Sequence, residues 1–220
     1  MSKRIKYHKG NLIEYEIFKL VDFYDSILRE PTITWNHKDH EPKECESLAY
    51  SLAETLKHYG GIGLSANQVG LKHRVCVINM GNEIWTLFNP EIIDHGLTPA
   101  TYQEGCLSYP GLYLKVPRHN HIKVKFQAMY GQEIVQEFDG LTAVCVQHEI
   151  DHLDGIVYTD KVSPIKLDQA KRKVKKNVKR MRAFVQQQEN EQAPINLPEN
   201  QPMITVDKKN LPEKFVYSVN

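Results

Sequence analysis

Two histidines four residues apart, with a glutamate directly after the first, are the side chains of this sequence best arranged to do chemistry. They stand in Gln147-His148-Glu149-Ile150-Asp151-His152. On a helix, positions i and i+4 share a face with Cβ atoms roughly 6 Å apart, so two imidazoles can reach one cation. Glu149 then sits where it can hold a proton beside a coordinated water without being a ligand itself. A solvated, charged helix face is the alternative reading. The residues upstream, Gly140-Leu141-Thr142-Ala143-Val144-Cys145-Val146, are too apolar for that and read as a buried helical run. Polar and charged groups at the end of a buried helix are costly unless they are paired or coordinate something, and a metal ion is the economical partner. Gly155 follows as a helix-ending glycine.

A tetrahedral catalytic site takes three protein ligands and leaves the fourth position to water. The candidates for the third are the four cysteines, the other histidines and the carboxylates. Cys106 stands out, in Glu104-Gly105-Cys106-Leu107-Ser108, because it follows a strand-like segment and glycine beside it allows close backbone approach. Cys45 falls on an apolar helix face with Leu48, Leu52, Leu56 and Tyr59, and Cys76 lies in the apolar strand Val75-Cys76-Val77-Ile78; both read as core. Cys145, one turn before His148, either lines the site or is a small buried hydrophobe.

Taken in order, three segments resemble the motifs of the peptide deformylase family. Gly61-Ile62-Gly63-Leu64-Ser65-Ala66-Asn67-Gln68 resembles its G-x-G-L-A-A-x-Q, with Ser65 where the pattern has alanine. Glu104-Gly105-Cys106-Leu107-Ser108 matches E-G-C-L-S, and Gln147-His148-Glu149-Ile150-Asp151-His152 matches Q-H-E-x-D-H. The resemblance covers 27–184. It implies a metal-dependent hydrolase that removes the formyl group from the N-terminal formyl-methionine of newly made polypeptides and releases formate. Cys106, His148 and His152 would hold one divalent ion. Glu149 would act as general base and then general acid. The Gln68 amide and the Leu107 backbone N–H would donate to the developing oxyanion. A methionine pocket would be built from Ile62, Tyr102, Leu141, Val144, Cys145 and the His148 ring. The backbone of Ile62, Gly63 and Gly105 would pair with an extended peptide like an added strand. Arg118, in Val116-Pro117-Arg118, matches a recurrent V-x-R whose role stays open; a surface arginine is usually only solvated. One thiolate and two imidazoles suit zinc, iron, nickel or cobalt; the resemblance implies Fe2+ in cells, often replaced by Zn2+.

Composition agrees with a compact enzyme. The chain has 220 residues, 41% hydrophobic and 25% charged, enough for one domain with a sizeable core. No apolar run approaches the ~20 residues of a membrane span, and four cysteines without disulfide-like spacing fit a reducing compartment. These features point to the cytoplasm, with neither a membrane nor DNA as partner. The net charge of +1 conceals an asymmetry: 161–183 holds ten Lys/Arg and one acid, Asp168, while the remainder has 18 basic and 26 acidic residues. A basic helix at 163–183 docking on the ribosome is one expectation; a solvated helix face is the other.

The layout reads as an N-terminal extension over 1–26, plausible as a helix from its apolar spots; a catalytic domain over 27–185; and a polar tail over 186–220 rich in Pro, Gln and Asn, whose last stretch 214–219 has strand character. The fold class is α+β, antiparallel or mixed sheets packed around a central metal-binding helix, with a C-terminal amphipathic helix. Helices are expected at 42–59, 141–153 and from 163 onward, with strands at 74–79, 84–88, 92–94, 100–104, 121–130 and 133–138, the last pair joined at Gly131-Gln132. The apolar positions Leu167, Ala170, Val174, Val178, Met181 and Val185 of the last helix step by three or four and should pack on a partner surface. A zinc endopeptidase is the rival enzyme class, but it would take its third ligand downstream of the histidine pair rather than from an upstream cysteine.

Overall fold

The computed structural model describes residues 4–8, 11–97 and 99–191; expectations for 192–220, including the strand-like end, lie outside the described residues. The chain divides into two compact units, Met1–Lys176 and Asn177–Asn220. The first is an α+β fold whose sheets are antiparallel. Its elements run β1 (Arg4–His8), β2 (Asn11–Tyr15), α1 (Pro42–Tyr59), β3 (Gly63–Ser65), β4 (Val75–Asn79), β5 (Ile84–His95), β6 (Pro99–Cys106), β7 (Tyr109–His119), β8 (His121–Gln127), β9 (Glu133–Asp139), α2 (Gly140–Leu153) and the start of α3 (Pro164–Glu191).

Strand periodicity sets the layering. β3, β4, β5, β8 and β9 form one five-stranded sheet in that order. In β4 successive side chains point to opposite faces. Val75 and Val77 join Leu52, Leu56, Leu64 and Phe88 in one cluster, which also holds Cys45 of α1. Cys76 and Ile78 join Ala143, Val146, Ile150 and Leu153 of α2 in another, closed by Ile122, Val124, Phe126 and Phe138. The sheet is thus clamped between α1 and α2. A third cluster, Leu112, Leu114, Val116, Val157 and Tyr158, joins β7 to Leu167, Ala170 and Val174 of α3. Val178, Met181 and Val185, in the second unit, continue the apolar stripe and are exposed.

The helix ends follow local rules. Pro42 opens α1, and Gly60 closes it in the left-handed region at φ 69°. At the end of α2, Gly155 adopts φ 74°, its N–H donates to His152 O at 3.0 Å, and Ile156 N–H donates to Asp151 O at 2.8 Å. This is the Schellman arrangement, and it halts the helix one residue after the second histidine.

Three readings change. The described residues of the 1–26 segment form no α-helix: β1 and β2 pair as a hairpin with Lys6 opposite Ile13. Ile13 is buried while Leu12 is exposed, an alternation that a helix-period count overlooks. Lys6 Nζ bonds Glu54 of α1 at 3.1 Å, and Ser51 and Thr55 of α1 accept from the backbone N–H groups of Glu16 and Phe18. The strands expected at 84–88 and 92–94 are one strand, β5, with register shifts around Asn89, which sits at φ 52°. The Asn89 side chain accepts from Trp35 N–H and donates to Trp35 O and Gln127 Oε1, bonds that hold the irregular residue in place. Finally, α3 runs through Glu191 into the stretch read as tail, because Gln and Glu are good helix formers.

Gly155→Ala tests the α2 stop. An added Cβ would lie 2.8 Å from Arg29 O at a positive φ, whereas Gly60, also left-handed, has open space around its Cβ position. Urea denaturation should give a loss of about 2–4 kcal/mol for Gly155→Ala, against about 1 kcal/mol for Gly60→Ala.

Candidate metal centre

Two elements supply the centre. α2 carries His148 and His152 on one face, one turn apart, with ring centroids 4.9 Å from each other. The β6–β7 hairpin carries Cys106 at its tip, where a register shift between Glu104 and Cys106 breaks the ladder and re-aims the thiol. Gly105 lies in this irregular stretch, and a Cβ on it would meet the Tyr113 ring at 2.7 Å.

The three ligand atoms of Cys106, His148 and His152 lie within 4.8 Å of one another. Cys106 Sγ is 3.2 Å from His152 Nε2. Two coordination bonds of about 2.0–2.3 Å diverging from one tetrahedral ion place their donor atoms about 3.5 Å apart, close to this span, and one sulfur with two imidazole nitrogens is a donor set for a borderline divalent ion. The residues therefore fit a metal.

A charged network fixes the ligands. His148 Nδ1 meets Glu104 Oε2 at 2.8 Å, which leaves Nε2 for the cation. Arg118, only 3% exposed, donates through Nε to Glu104 Oε1 at 2.6 Å and through Nη2 to Glu104 Oε2 at 3.0 Å. Its Nη1 donates to Asp151 Oδ2, and Lys161 Nζ reaches Asp151 Oδ1 at 3.1 Å. The motif residue Asp151 is thus tied to the hairpin through Arg118, which is no solvated surface arginine. Burial alone would raise the Glu104 carboxyl, but hydrogen bonds from His148 and Arg118 hold it below the ordinary carboxylate range. Burial works against charge on His148, yet hydrogen bonds with Cys106 and Glu104 push it up to about 10. Burial drives His152 the other way, well below the usual imidazole value. A cation held by His148 would have to displace a proton from it.

Two further polar side chains surround the ligands. Gln68 is buried, its Oε1 accepts from Ser65 N–H at 2.8 Å, and its Nε2 donates to Ser108 Oγ at 3.1 Å and lies 3.4 Å from Cys106 Sγ. Glu149 is fully enclosed; burial raises its carboxyl above the ordinary value, partly offset by His148 and by a hydrogen bond from Ser65. The Ser65 hydroxyl is 2.6 Å from Glu149 Oε2 and 2.9 Å from the Glu149 carbonyl, and with one proton it donates to one of them at a time. Asn67 Nδ2 donates to His152 O at 2.5 Å, and the Gln147 amide pairs with both backbone groups of His119.

The structure thus brings Cys106, His148, His152, Gln68 and Glu149 together. Leu107 packs its side chain toward Gly61 and Leu56. Of the pocket residues, Val144 and Cys145 are buried on α2, while Leu141 (63% exposed) and Ile62 (50%) lie open. Gly63 lies against Glu149 and Cys145, where any Cβ would fall 2.4 Å from Glu149 Oε1. Tyr102 is half-buried, with its hydroxyl on Asn120 Oδ1. Sequence reasoning gave no role to Glu104, Arg118, Ser108 or Ser65. Glu104 and Ser108 had a signal, since they flank Cys106 within one motif.

A family model for polypeptide deformylases matches residues 17–168. The chain belongs to the polypeptide deformylase family. It is an enzyme, and the reaction of its family is hydrolytic removal of the N-formyl group from newly made polypeptides. A peptide deformylase of Alkalilimnicola ehrlichii is 44% identical over 142 residues, 63% of this chain and 79% of the relative. One of Thermotoga maritima is 38% identical over 150 residues, 68% of this chain and 90% of the relative. The crystal structure of a peptide deformylase from Legionella pneumophila superposes with a TM-score of 0.67 at 33% identity, covering 76% of this chain and 98% of that one. Among the described residues, no helix is long and apolar enough to cross a membrane.

Removing Arg118 strips the buried Glu104 of its guanidinium and leaves it His148 alone, while the half-buried Asp151 keeps Lys161. Arg118→Met should cost about 3–5 kcal/mol in a denaturant titration. Glu104→Gln should keep the fold and weaken metal affinity by about 10–100-fold, read by competition with a chelator.

Proposed function

We propose that Cys106, His148 and His152 hold one divalent ion and that the surrounding side chains use it to deformylate N-formyl-methionyl peptides. The observation that carries this reading is the convergence of one sulfur and two imidazoles within 4.8 Å, with Glu149 and Gln68 closing round them. When bound, the ion supplies Lewis acidity, drawing the pKa of a coordinated water from ~15.7 toward about 7. Glu149 takes the proton of the attacking water and returns it to the departing amine. Its enclosed, apolar setting raises its affinity for that proton, which suits a group that must both accept and release it. Gln68 Nε2 and the Leu107 N–H donate to the oxygen on which charge develops. The Gln68 amide is oriented for this by the Ser65 N–H, which engages its oxygen and turns its nitrogen toward Cys106.

The methionine side chain would lie along α2, where Leu141, Val144, Cys145 and His148 are spaced by three and four, with Ile62 and Tyr102 at the margin. Apolar walls suit an unbranched thioether, which gains by area burial. Gly63 and Gly105, with Ile62, offer backbone for an extended peptide to pair with. The donor set suits Fe2+, Zn2+, Ni2+ or Co2+ alike, and the likeness to the family favours Fe2+ as the working ion. We read 27–185 as the catalytic domain, 1–26 as an extension and 186–220 as a tail. The cytoplasm, or an equivalent compartment of bacterial-type translation, is where nascent formyl peptides occur.

Formate release from formyl-Met-Ala-Ser, with no cleavage of a blocked internal peptide, is the expected outcome; the reverse pattern would favour an endopeptidase. A chelator should abolish the activity and added Fe2+ or Zn2+ should restore it. Gln68→Ala should lose about 10²–10³-fold in kcat with metal retained. A metal-replete Glu149→Gln that kept full activity would remove Glu149 from its role.

The basic stretch 163–183 supports a further partner, the ribosome. Charge reversal at Lys171, Lys175 and Lys179 should then abolish a salt-sensitive co-sedimentation with ribosomes; unchanged pelleting would leave only a solvated helix face.

A further inference from the structure

Ser65 hydrogen-bonds both polar side chains that flank the ligands, Gln68 and Glu149. It is fully buried in β3, paired with Cys76 of β4, so its backbone has a fixed register. Its N–H donates to Gln68 Oε1 and its hydroxyl reaches Glu149 Oε2. On the other side of the carboxylate, Gly63 lies so close to Glu149 Oε1 that a Cβ would fall 2.4 Å from it. One carboxylate oxygen is therefore wedged against backbone and the other is held by a hydroxyl. The terminal torsion of a glutamate is broad and weakly restrained by its own chemistry, so the orientation of this carboxylate is set by these two neighbours.

We propose that Ser65 is a positioning residue for the reaction, fixing the Glu149 carboxylate through its hydroxyl and the Gln68 amide through its backbone N–H. This rests on the roles assigned above to Glu149 and Gln68. The two arms differ in kind. The backbone arm survives any side-chain replacement that keeps the strand. The hydroxyl arm exists because this chain has serine where the G-x-G-L-A-A-x-Q pattern has alanine. With the hydroxyl gone, Oε2 keeps no side-chain donor among the described residues, and the carboxylate is free to turn about its last torsion. The hydroxyl faces Glu149 rather than the substrate stripe of α2, so its loss acts on the chemical step and spares binding.

Ser65→Ala, loaded with metal to the wild-type stoichiometry, should release formate from formyl-Met-Ala-Ser with kcat lowered about tenfold and KM within about twofold of wild type. Ser65→Cys, similar in volume but a weak donor, should fall between, and it carries the same test if the alanine variant fails to fold. In a Glu149→Gln background the same Ser65→Ala change should alter the residual rate by less than about twofold, because the group it positions is no longer a base. A crystal structure of Ser65→Ala should show the Glu149 carboxylate rotated or spread over several orientations, with Gln68 unmoved. Wild-type kcat at full metal occupancy would overturn the inference, as would an equal loss in the Glu149→Gln background or an unmoved carboxylate. The crystallographic readout decides the matter even if the wild-type protein released no formate, a failure that would fall on the proposed function instead.

Discussion

The centre depends on one constraint: its sulfur and its nitrogens come from elements that share no backbone ladder. His148 and His152 ride on α2, and Cys106 sits at the tip of the β6–β7 hairpin. Helix geometry fixes the imidazole pair, but nothing in the hairpin alone fixes where its tip lies relative to that pair. The buried run His148–Glu104–Arg118–Asp151 does so. Glu104 and Arg118 belong to β6 and β7, and His148 and Asp151 to α2, so the guanidinium and the carboxylate stitch the two elements together beside the ligands. An isolated buried charge is very costly, whereas a fully hydrogen-bonded set is tolerable and admits one arrangement.

The helix pays for its polar end with the apolar residues on its other faces. Val146, Ile150 and Leu153 are buried against the five-stranded sheet, each contributing on the order of 1.5–3 kcal/mol. That burial offsets the cost of enclosing His148, Glu149 and His152: Glu104 meets His148 Nδ1 and Ser65 meets Glu149 Oε2, while the buried His152 Nδ1 has no hydrogen-bond partner among the described residues. Stability and reactivity are divided by face: α2 is anchored on one side and poised on the other.

Much of this was legible in the residues. The spacing of His148 and His152, the apolar run before them and Gly155 after them specify a buried helix with a metal-facing end, and the helix bounds agree with its structure to a residue. Cys106 was legible because a glycine and a strand precede it. Pairing across the fold was not. Arg118 reads as a surface cation in one dimension, since nothing local shows that Glu104 and Asp151, fourteen residues before it and thirty-three after, converge on it. Ser65 reads as a harmless substitution, since its partner is eighty-four residues away. The N-terminal hairpin is hard to read for a different reason: short apolar spots suit either the helical or the strand period.

The Arg118 stitch also bears on what happens when the ion departs. The contacts that close the hairpin onto α2 are protein to protein, and none passes through the cation. A seat emptied of its ion would therefore keep its outline, and filling it again would be a local event of ligand and proton exchange rather than an act of folding. A seat of that kind would let one metal be exchanged for another, so that the supply around the protein would select its ion as much as the cradle that receives it.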